Sequence, residues 1–188
     1  MKLAIFGGTF DPIHSAHLTV AREALETFAL DKIIFIPAAV PPHKAALTGA
    51  NYEERFEMVR LACEEEPRFQ PSRLEEDNRK SYSILTIQRV RALLTPSDEL
   101  FFIIGADAFA EIQTWFRWRD VLAAVEFIVV TRPGHEYEVP RGAKVWRLET
   151  LALPVSSSEI RRKLAAGEVA DELPSAVAEF IKARGLYR

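Results

Sequence analysis

Short apolar runs alternate with amphipathic segments along this chain of 188 residues. The apolar runs are rich in isoleucine, valine and phenylalanine, which is typical of strands buried on both faces. They predict strands at Leu3–Phe6, Lys32–Ile36, Leu100–Ile104, Glu126–Thr131 and Lys144–Arg147. Segments with apolar residues three or four apart predict helices at His17–Phe28, Tyr52–Glu65, Ile84–Leu94, Trp118–Ala124, Ser157–Ala166 and Ser175–Ala183. Strands that alternate with helices indicate βαβ units, so we expect an α/β fold.

The expected architecture is a Rossmann-like, doubly wound parallel sheet in a single domain over residues 1–188. In such sheets, ligands bind beyond the carboxyl ends of the strands. Three polar or glycine-containing segments follow predicted strands directly: Gly7-Gly8, Pro37–Lys44 and Gly105–Asp107. We therefore expect these segments to meet at one edge of the sheet and to form a ligand site.

Composition narrows the class of protein. Hydrophobic residues make up 48% of the chain and charged residues 27%, as in ordinary soluble globular proteins. The net charge of −3 argues against a general nucleic-acid binder, which needs a basic surplus. No apolar run approaches the ~20 residues of a membrane span, and the chain starts directly with a strand, without a signal-peptide pattern. We expect a cytoplasmic enzyme or binding protein, with no nucleic-acid or membrane partner, and either a monomer or a homo-oligomer.

The segment after the first predicted strand carries the most informative chemistry. Gly7 and Gly8 follow the strand, and a turn leads to His14 and His17 at the start of a helical pattern. Glycine lets the backbone approach a ligand, because no Cβ is in the way. The free N–H groups and positive dipole of a helix start favour a phosphate. Residues three apart share a helical face, so both imidazole rings can reach that phosphate.

A zinc site is the alternative interpretation of two histidines at this spacing. The further histidines are His43 and His135, and the single cysteine, Cys63, lies in a helical pattern in mid-chain. They do not supply an evident ligand set. We therefore predict no protein-bound metal, no internal disulfide, and a core position for Cys63.

A second helix start has phosphate-binding character. Ser156 and Glu159 fit a capping box, which structure alone explains. Capping does not account for Arg161, one turn inside the helix. A serine-rich helix start with an arginine on its first turn is suited to bind a triphosphate. No Gly-x-x-x-x-Gly-Lys-Ser/Thr segment occurs, so a P-loop kinase is excluded.

These motifs resemble the nucleotidyltransferase superfamily with a His-x-Gly-His signature, and within it the nicotinate mononucleotide adenylyltransferases. Residues 7–14, Gly-Gly-Thr-Phe-Asp-Pro-Ile-His, fit the opening motif of that family, whereas Ala16 stands where the family usually has glycine. Val155–Arg161 is similar to the family's Ile-Ser-Ser-Thr-x-Ile-Arg signature, with Val155 and Ser158 as conservative departures. Further matches extend to the Gly-Leu-Tyr at 185–187, so the resemblance spans nearly the whole chain.

The resemblance implies a reaction and a set of roles. The reaction joins ATP to nicotinate mononucleotide and releases pyrophosphate, with Mg²⁺ arriving on the triphosphate. The residues it assigns to catalysis are His14, His17, Lys44 and Arg161. Those it assigns to ATP are Gly7, Gly8, Thr9, Phe10, His17, Gly105, Asp107, Ser156, Ser157 and Arg161. Those it assigns to the mononucleotide are Lys44, Ser83, Thr86, Trp115 and Arg132.

Alternatives remain open at this stage. Lys44 could be a solvated lysine in a proline-rich loop, Ser83 and Asp107 could be helix caps, and Trp115 could be a core aromatic. The acceptor could be another phosphorylated molecule, such as nicotinamide mononucleotide or phosphopantetheine. A non-catalytic nucleotide sensor on the same fold is the alternative from another functional class.

Overall fold

The computed structural model describes residues 1–39, 49–76, 81–151 and 155–188. Within them, six strands form one parallel sheet: β1 Lys2–Gly8, β2 Lys32–Pro37, β3 Phe69–Pro71, β4 Glu99–Gly105, β5 Glu126–Thr131 and β6 Val145–Glu149. Their order is β3-β2-β1-β4-β5-β6, and every neighbouring pair is parallel. The order reverses between β1 and β4, which is where a doubly wound sheet opens a crevice for ligands.

The helices connect and cover these strands. They are α1 Ser15–Thr27, α2 Tyr52–Cys63, α3 Ser83–Arg91, α4 Ala106–Ala110, α5 Trp118–Ala124, α6 Ser157–Ala165 and α7 Ser175–Arg184, with a short 3₁₀ helix at Ile112–Thr114. None of them is long and apolar enough to cross a membrane.

Alternation along the strands gives the sheet two apolar faces. In β1, Ala4 joins the core that α1, α2 and α7 cover, whereas Leu3 and Ile5 join the core that α3, α4 and α5 cover. Helices on both faces confirm the predicted Rossmann-like α/β fold. Cys63 is buried in the first core, and burial raises its pKa to about 12, which keeps the thiol protonated.

The five predicted strands and six predicted helices are all present. Glu126–Thr131 and Trp118–Ala124 have the predicted ends, and the ends of the others are shifted. The hydrophobic pattern of the sequence did not predict β3, α4 or the 3₁₀ helix. β3 has three residues and ends at Pro71, so it offers too few positions for a strand pattern. It lies beside β2, at the edge of the sheet, where proline is tolerated. α4 has five residues and starts directly at the end of β4, so it has little room for helical periodicity.

Candidate active site

Three adjoining cavities lie beyond the carboxyl ends of the central strands. Their volumes are about 470, 250 and 280 Å³, and we call them the histidine cavity, the tryptophan cavity and the β5 cavity. Gly105, the last residue of β4, lines all three. The cavities therefore meet at the point where the strand order reverses.

The histidine cavity brings together both predicted phosphate-binding helix starts. His14 and His17, at the start of α1, face Ser156, Ser157 and Arg161, at the start of α6. The other residues that line the cavity are Phe6, Thr9, Asp11, Ala16, Val20, Gly105, Val130, Val155 and Ser158. The predicted shared face of the two histidines is confirmed, because their rings stack with centroids 3.8 Å apart.

Both histidines are held neutral. Burial lowers the pKa of His14 from 6.5 to about 4, against the opposing influence of Glu172. Burial, and then the neighbouring His14, also place the pKa of His17 well below its usual range. At neutral pH the two rings are therefore hydrogen-bonding groups and not cations.

The tautomer of His17 follows from one contact. The backbone N–H of His14, the N-cap residue of α1, donates to Nδ1 of His17 at 3.3 Å. Because Nδ1 accepts, the proton of a neutral His17 ring lies on Nε2. Phe6 and Phe10 make edge contacts with the same ring, at centroid distances of 6.0 and 5.2 Å, and fix its plane. His17 is thus an oriented N–H donor in the cavity wall.

The start of α6 is tied to the turn between β1 and α1. Ser156 is the N-cap residue, and its Oγ accepts from the backbone N–H of Glu159 at 3.2 Å, which is one half of the predicted capping box. Ser157 Oγ donates to the carbonyl of Pro12 at 2.9 Å. Arg161 Nη1 donates to the carbonyl of Asp11 at 2.6 Å. Two side chains of the proposed triphosphate clamp therefore also fix the turn opposite them.

Two buried charged residues, one within this turn and one bonded to it, were missed by sequence reasoning. Asp11 is 2% exposed and Arg55 only 1%. Arg55 Nη1 donates to the carbonyl of Thr9 at 2.7 Å, and its Nη2 donates to the carbonyl of Ala39 at 3.4 Å. Arg55 could have been found, because it occupies a position on the apolar face of α2, in helical register with Met58 and Val59.

The tryptophan cavity gathers the other predicted residues. Ser83, Thr86 and Trp115 line it together, as expected. So do Glu75 and Ser81, which sequence reasoning did not assign. Thr86 Oγ1 donates to Glu75 Oε1, whereas Glu75 Oε2 and Ser81 Oγ are buried without a partner among the described residues. The cavity thus holds polar groups that a ligand could satisfy.

Arg132 lies apart from the other described residues that were predicted to contact the mononucleotide. Arg132 lines the β5 cavity with Gly105, Asp107, Thr131 and His135, and does not line the tryptophan cavity. The resemblance assigned Arg132 to the mononucleotide, and that assignment stays a prediction.

The glycine turn also works differently from the prediction. Gly7 and Gly8 line the tryptophan cavity, not the histidine cavity. A Cβ at Gly8 would lie 3.0 Å from the ring of Phe10, so glycine here makes room for a side chain. Phe10 itself is 2% exposed, belongs to the core and supports His17 from behind, so it is a supporting residue and not a wall of the ATP site.

The alternative interpretation of Ser83 and Asp107 as helix caps is wrong. α3 begins at Ser83, but its N-cap is Tyr82, which gives no side-chain hydrogen bond to the helix start. Asp107 is not an N-cap, because Gly105 holds that position in α4. Lys44 and His43 lie outside the described residues, so their roles stay predictions.

The described ranges hold no evident metal site. No three His, Cys, Asp or Glu side chains there lie close enough together to hold a metal ion. The Asp11 carboxylate, the one in the wall of the histidine cavity, is already occupied by the backbone N–H groups of Gly49 and Ala50 and by the hydroxyl of Tyr187.

Comparison with known proteins places this site in a family. A model of the cytidylyltransferase-like family matches residues 5–163. A Solibacter usitatus protein named probable nicotinate-nucleotide adenylyltransferase is 59% identical over 187 residues, covering 100% of both chains. A Thermus thermophilus protein of the same name is 43% identical over 190 residues, again covering 100% of both. The chain belongs to the nicotinate-nucleotide adenylyltransferase family. The resemblance drawn from the motifs is confirmed.

Solved structures of nicotinate-nucleotide adenylyltransferases share this fold. The Plasmodium falciparum nicotinic acid mononucleotide adenylyltransferase complexed with NaAD gives a TM-score of 0.81 at 19% identity, covering 99% of this chain and 97% of that one. The same enzyme complexed with APC gives a TM-score of 0.75 at 18% identity, covering 99% and 96%. At these identities the likeness concerns the fold alone.

Proposed function

We propose that this chain transfers the adenylyl group of ATP to nicotinate mononucleotide. The acceptor phosphate oxygen attacks the α-phosphorus, the bond from that phosphorus to the bridging oxygen of the β-phosphate breaks, and nicotinate adenine dinucleotide and pyrophosphate are the products. The observation that carries this proposal is the shared wall between the cavities. Phe6, Thr9 and Gly105 line both the histidine and the tryptophan cavity, so ligands in the two can bring phosphates together there.

The binding arrangement assigns one part of the substrates to each cavity. The histidine cavity holds the triphosphate, against His14, His17 and the start of α6. The β5 cavity, which adjoins it at Gly105 and Val130, holds the adenosine. The tryptophan cavity holds the mononucleotide, with its ring stacked on Trp115.

The nucleophile needs little activation. A phosphate monoester has its second pKa near ~6, so it is largely ionised at neutral pH without a general base. The protein then contributes alignment and stabilisation of charge on the transferring phosphoryl group. The Nε2–H of His17 donates to those oxygens as a neutral, preoriented group, and Arg161 supplies the positive charge.

Mg²⁺ enters in this proposal as part of the substrate. Magnesium is usually bound by one or two carboxylates, waters and substrate phosphates, and no protein cage is required. Chelation with EDTA should abolish turnover, and added Mg²⁺ should restore it without a lag for refolding. Full activity in EDTA would contradict this part of the proposal.

The acid is the preferred acceptor because of the start of α3. Its first N–H groups receive no side-chain cap from Tyr82, and a carboxylate accepts from such donors whereas the NH₂ of a carboxamide cannot. A donor left facing a donor costs about 1–3 kcal/mol, so we expect at least a tenfold preference in kcat/KM.

The decisive experiment measures pyrophosphate release with ATP and Mg²⁺ over three acceptors: nicotinate mononucleotide, nicotinamide mononucleotide and phosphopantetheine. Release with the first acceptor at tenfold higher kcat/KM supports the proposal. Equal or better use of the amide would overturn the acid assignment. The variant Glu75→Gln then tests whether the free Glu75 oxygen accepts from the amide. No release with any acceptor would favour a nucleotide sensor.

A further inference from the structure

One buried carboxylate joins three distant segments of the chain behind the histidine cavity. Oδ2 of Asp11 accepts from the backbone N–H of Gly49 at 2.7 Å, and Oδ1 accepts from that of Ala50 at 3.1 Å. Oδ1 also accepts from the hydroxyl of Tyr187, the second-last residue of the sequence, at 2.6 Å. This carboxylate belongs to the turn that carries the predicted catalytic motif.

The same three segments pack tightly against Arg161. A Cβ at Gly49 would lie 2.8 Å from the ring of Tyr187 and 3.2 Å from Cδ of Arg161. Glycine is therefore needed for the ring and the arginine stem to approach from two sides. The guanidinium of Arg161 lies 3.8 Å from Oδ2 of Asp11 while it donates to the Asp11 carbonyl.

In this geometry, the Asp11 carboxylate and a ligand in the histidine cavity can compete for the Arg161 guanidinium. A carboxylate buried to this degree needs hydrogen-bond donors or a counter-charge. The backbone N–H groups of Gly49 and Ala50 and the hydroxyl of Tyr187 supply donors, so the carboxylate does not need the guanidinium. If the hydroxyl is lost, two cations can compensate: Arg55, whose guanidinium is held by the carbonyls of Thr9 and Ala39, and Arg161, which lies 3.8 Å from Oδ2. A shift of Arg161 closer to Asp11 would draw it away from the cavity.

We infer that Tyr187 is a positioning residue that keeps Arg161 available to the triphosphate. The inference rests on the proposed function, in which Arg161 contacts ATP. Burial and the bond to Asp11 raise the pKa of Tyr187 well above its usual value, so the hydroxyl remains a donor throughout the working pH range. Tyr187 thereby contributes to the active site without touching substrate.

The test is Tyr187→Phe, which removes the hydroxyl and keeps the ring. We expect kcat/KM for ATP to fall about tenfold, as for a lost hydrogen bond to a charged group, and KM for nicotinate mononucleotide to stay within twofold. Tyr137→Phe is the matched control, since Tyr137 lies on the connection between β5 and β6 and packs on Phe109. It should leave both substrates unaffected. Thermal unfolding of each variant reports whether it is folded at the assay temperature.

A double variant separates positioning from general stability. If Tyr187 acts through Arg161, Tyr187→Phe should have little further effect in an Arg161→Lys background. If the losses in kcat/KM for ATP of the two single variants multiply in the double variant, the inference is overturned. Unchanged ATP kinetics in Tyr187→Phe, or equal losses for both substrates, would also overturn it. If Tyr187→Phe is unfolded at the assay temperature, the same kinetics are measured at a lower temperature at which thermal unfolding shows it to be folded. Failure of the wild type to use ATP would instead count against the proposed function.

Discussion

The two cavities that share the end of β1 differ in how far contacts within the protein already hold their polar groups. The histidine cavity presents donors, the His17 ring and the Arg161 guanidinium, and contacts within the protein already fix each one. The tryptophan cavity presents an aromatic face, Trp115, and buried oxygens of Glu75 and Ser81 that have no partner among the described residues. In the histidine cavity these two donors are oriented before a ligand arrives, and one buried atom, Nδ1 of His14, has no partner among the described residues. In the tryptophan cavity, no contact within the described residues satisfies Glu75 Oε2 or Ser81 Oγ.

This difference separates chemistry from recognition. Preoriented donors stabilise charge that develops during the reaction, because they need no reorganisation at that moment. Unsatisfied groups in a partly apolar pocket discriminate between ligands, because a wrong ligand leaves them unpaired. We therefore expect changes in the histidine cavity to affect turnover and ATP, and changes in the tryptophan cavity to affect the acceptor.

The largest effect is expected at His17. Removal of the oriented Nε2–H in His17→Ala should lower kcat by ~100-fold or more, as for loss of one preorganised donor. KM for ATP should change less, since the donor serves the transition state. Steady-state kinetics with both substrates varied will measure the two parameters.

His17→Gln is the matched comparison, because its amide N–H can replace part of the donor function. It should recover a portion of the lost kcat. If His17→Ala folds and turns over near the wild-type rate, the assignment of chemistry to this cavity is wrong.

Because the histidines are neutral in the folded chain, the free energy of unfolding should decrease in acid. His14 titrates at about 4 in the folded chain and near 6.5 when unfolded. Between these values the unfolded chain binds a proton that the folded chain does not, so stability falls as the pH is lowered. From pH 7 to pH 5 this should remove about 2 kcal/mol of the free energy of unfolding, and His17 acts in the same direction.

Urea unfolding of wild type and His14→Gln at pH 7 and pH 5 checks this prediction. The variant cannot titrate at this position, so it should lose clearly less stability than the wild type over that range. An equal loss in both would show that His14 is already protonated in the folded chain at pH 5.

Some of the features behind these expectations could be predicted from the sequence, and others could not. The phosphate-binding character of His14 and Arg161, which line one cavity, was predictable, because each lies at a recognisable helix start. The tie between Asp11 and Tyr187 was not, since 176 residues separate the two side chains and no periodic pattern connects a loop to a terminus. Phe10 was misplaced for a related reason: its positive φ of 49° turns the side chain into the core, and sequence patterns of strands and helices do not report such turns.

A smaller effect is expected at Arg161. Arg161→Lys keeps the charge but loses the planar fork that holds the Asp11 carbonyl and Ser158 together. We expect about a tenfold loss in kcat/KM for ATP, the equivalent of about 1.4 kcal/mol. Arg162→Lys is the matched control, because that side chain is exposed and pairs with Glu159 on the helix surface. If the two variants have the same kcat/KM for ATP, Arg161 does not bind the triphosphate.

The smallest effect, and the sharpest test of the separation, is expected at Trp115. Its ring lines the tryptophan cavity and makes an edge contact with Phe102, at a centroid distance of 6.2 Å. Loss of one aromatic pair costs about 0.5–1.5 kcal/mol, so Trp115→Ala should raise the acceptor KM roughly two- to tenfold. The KM values of both pyridine mononucleotides should rise in similar proportion, since stacking does not distinguish acid from amide. The KM for ATP should stay unchanged. Trp146→Ala, on the exposed face of β6, controls for the loss of an indole elsewhere. A rise in KM for ATP that matches the rise for the acceptor would mean that the two cavities do not act as separate sites, and that substrate binding in one is coupled to the other through their shared wall.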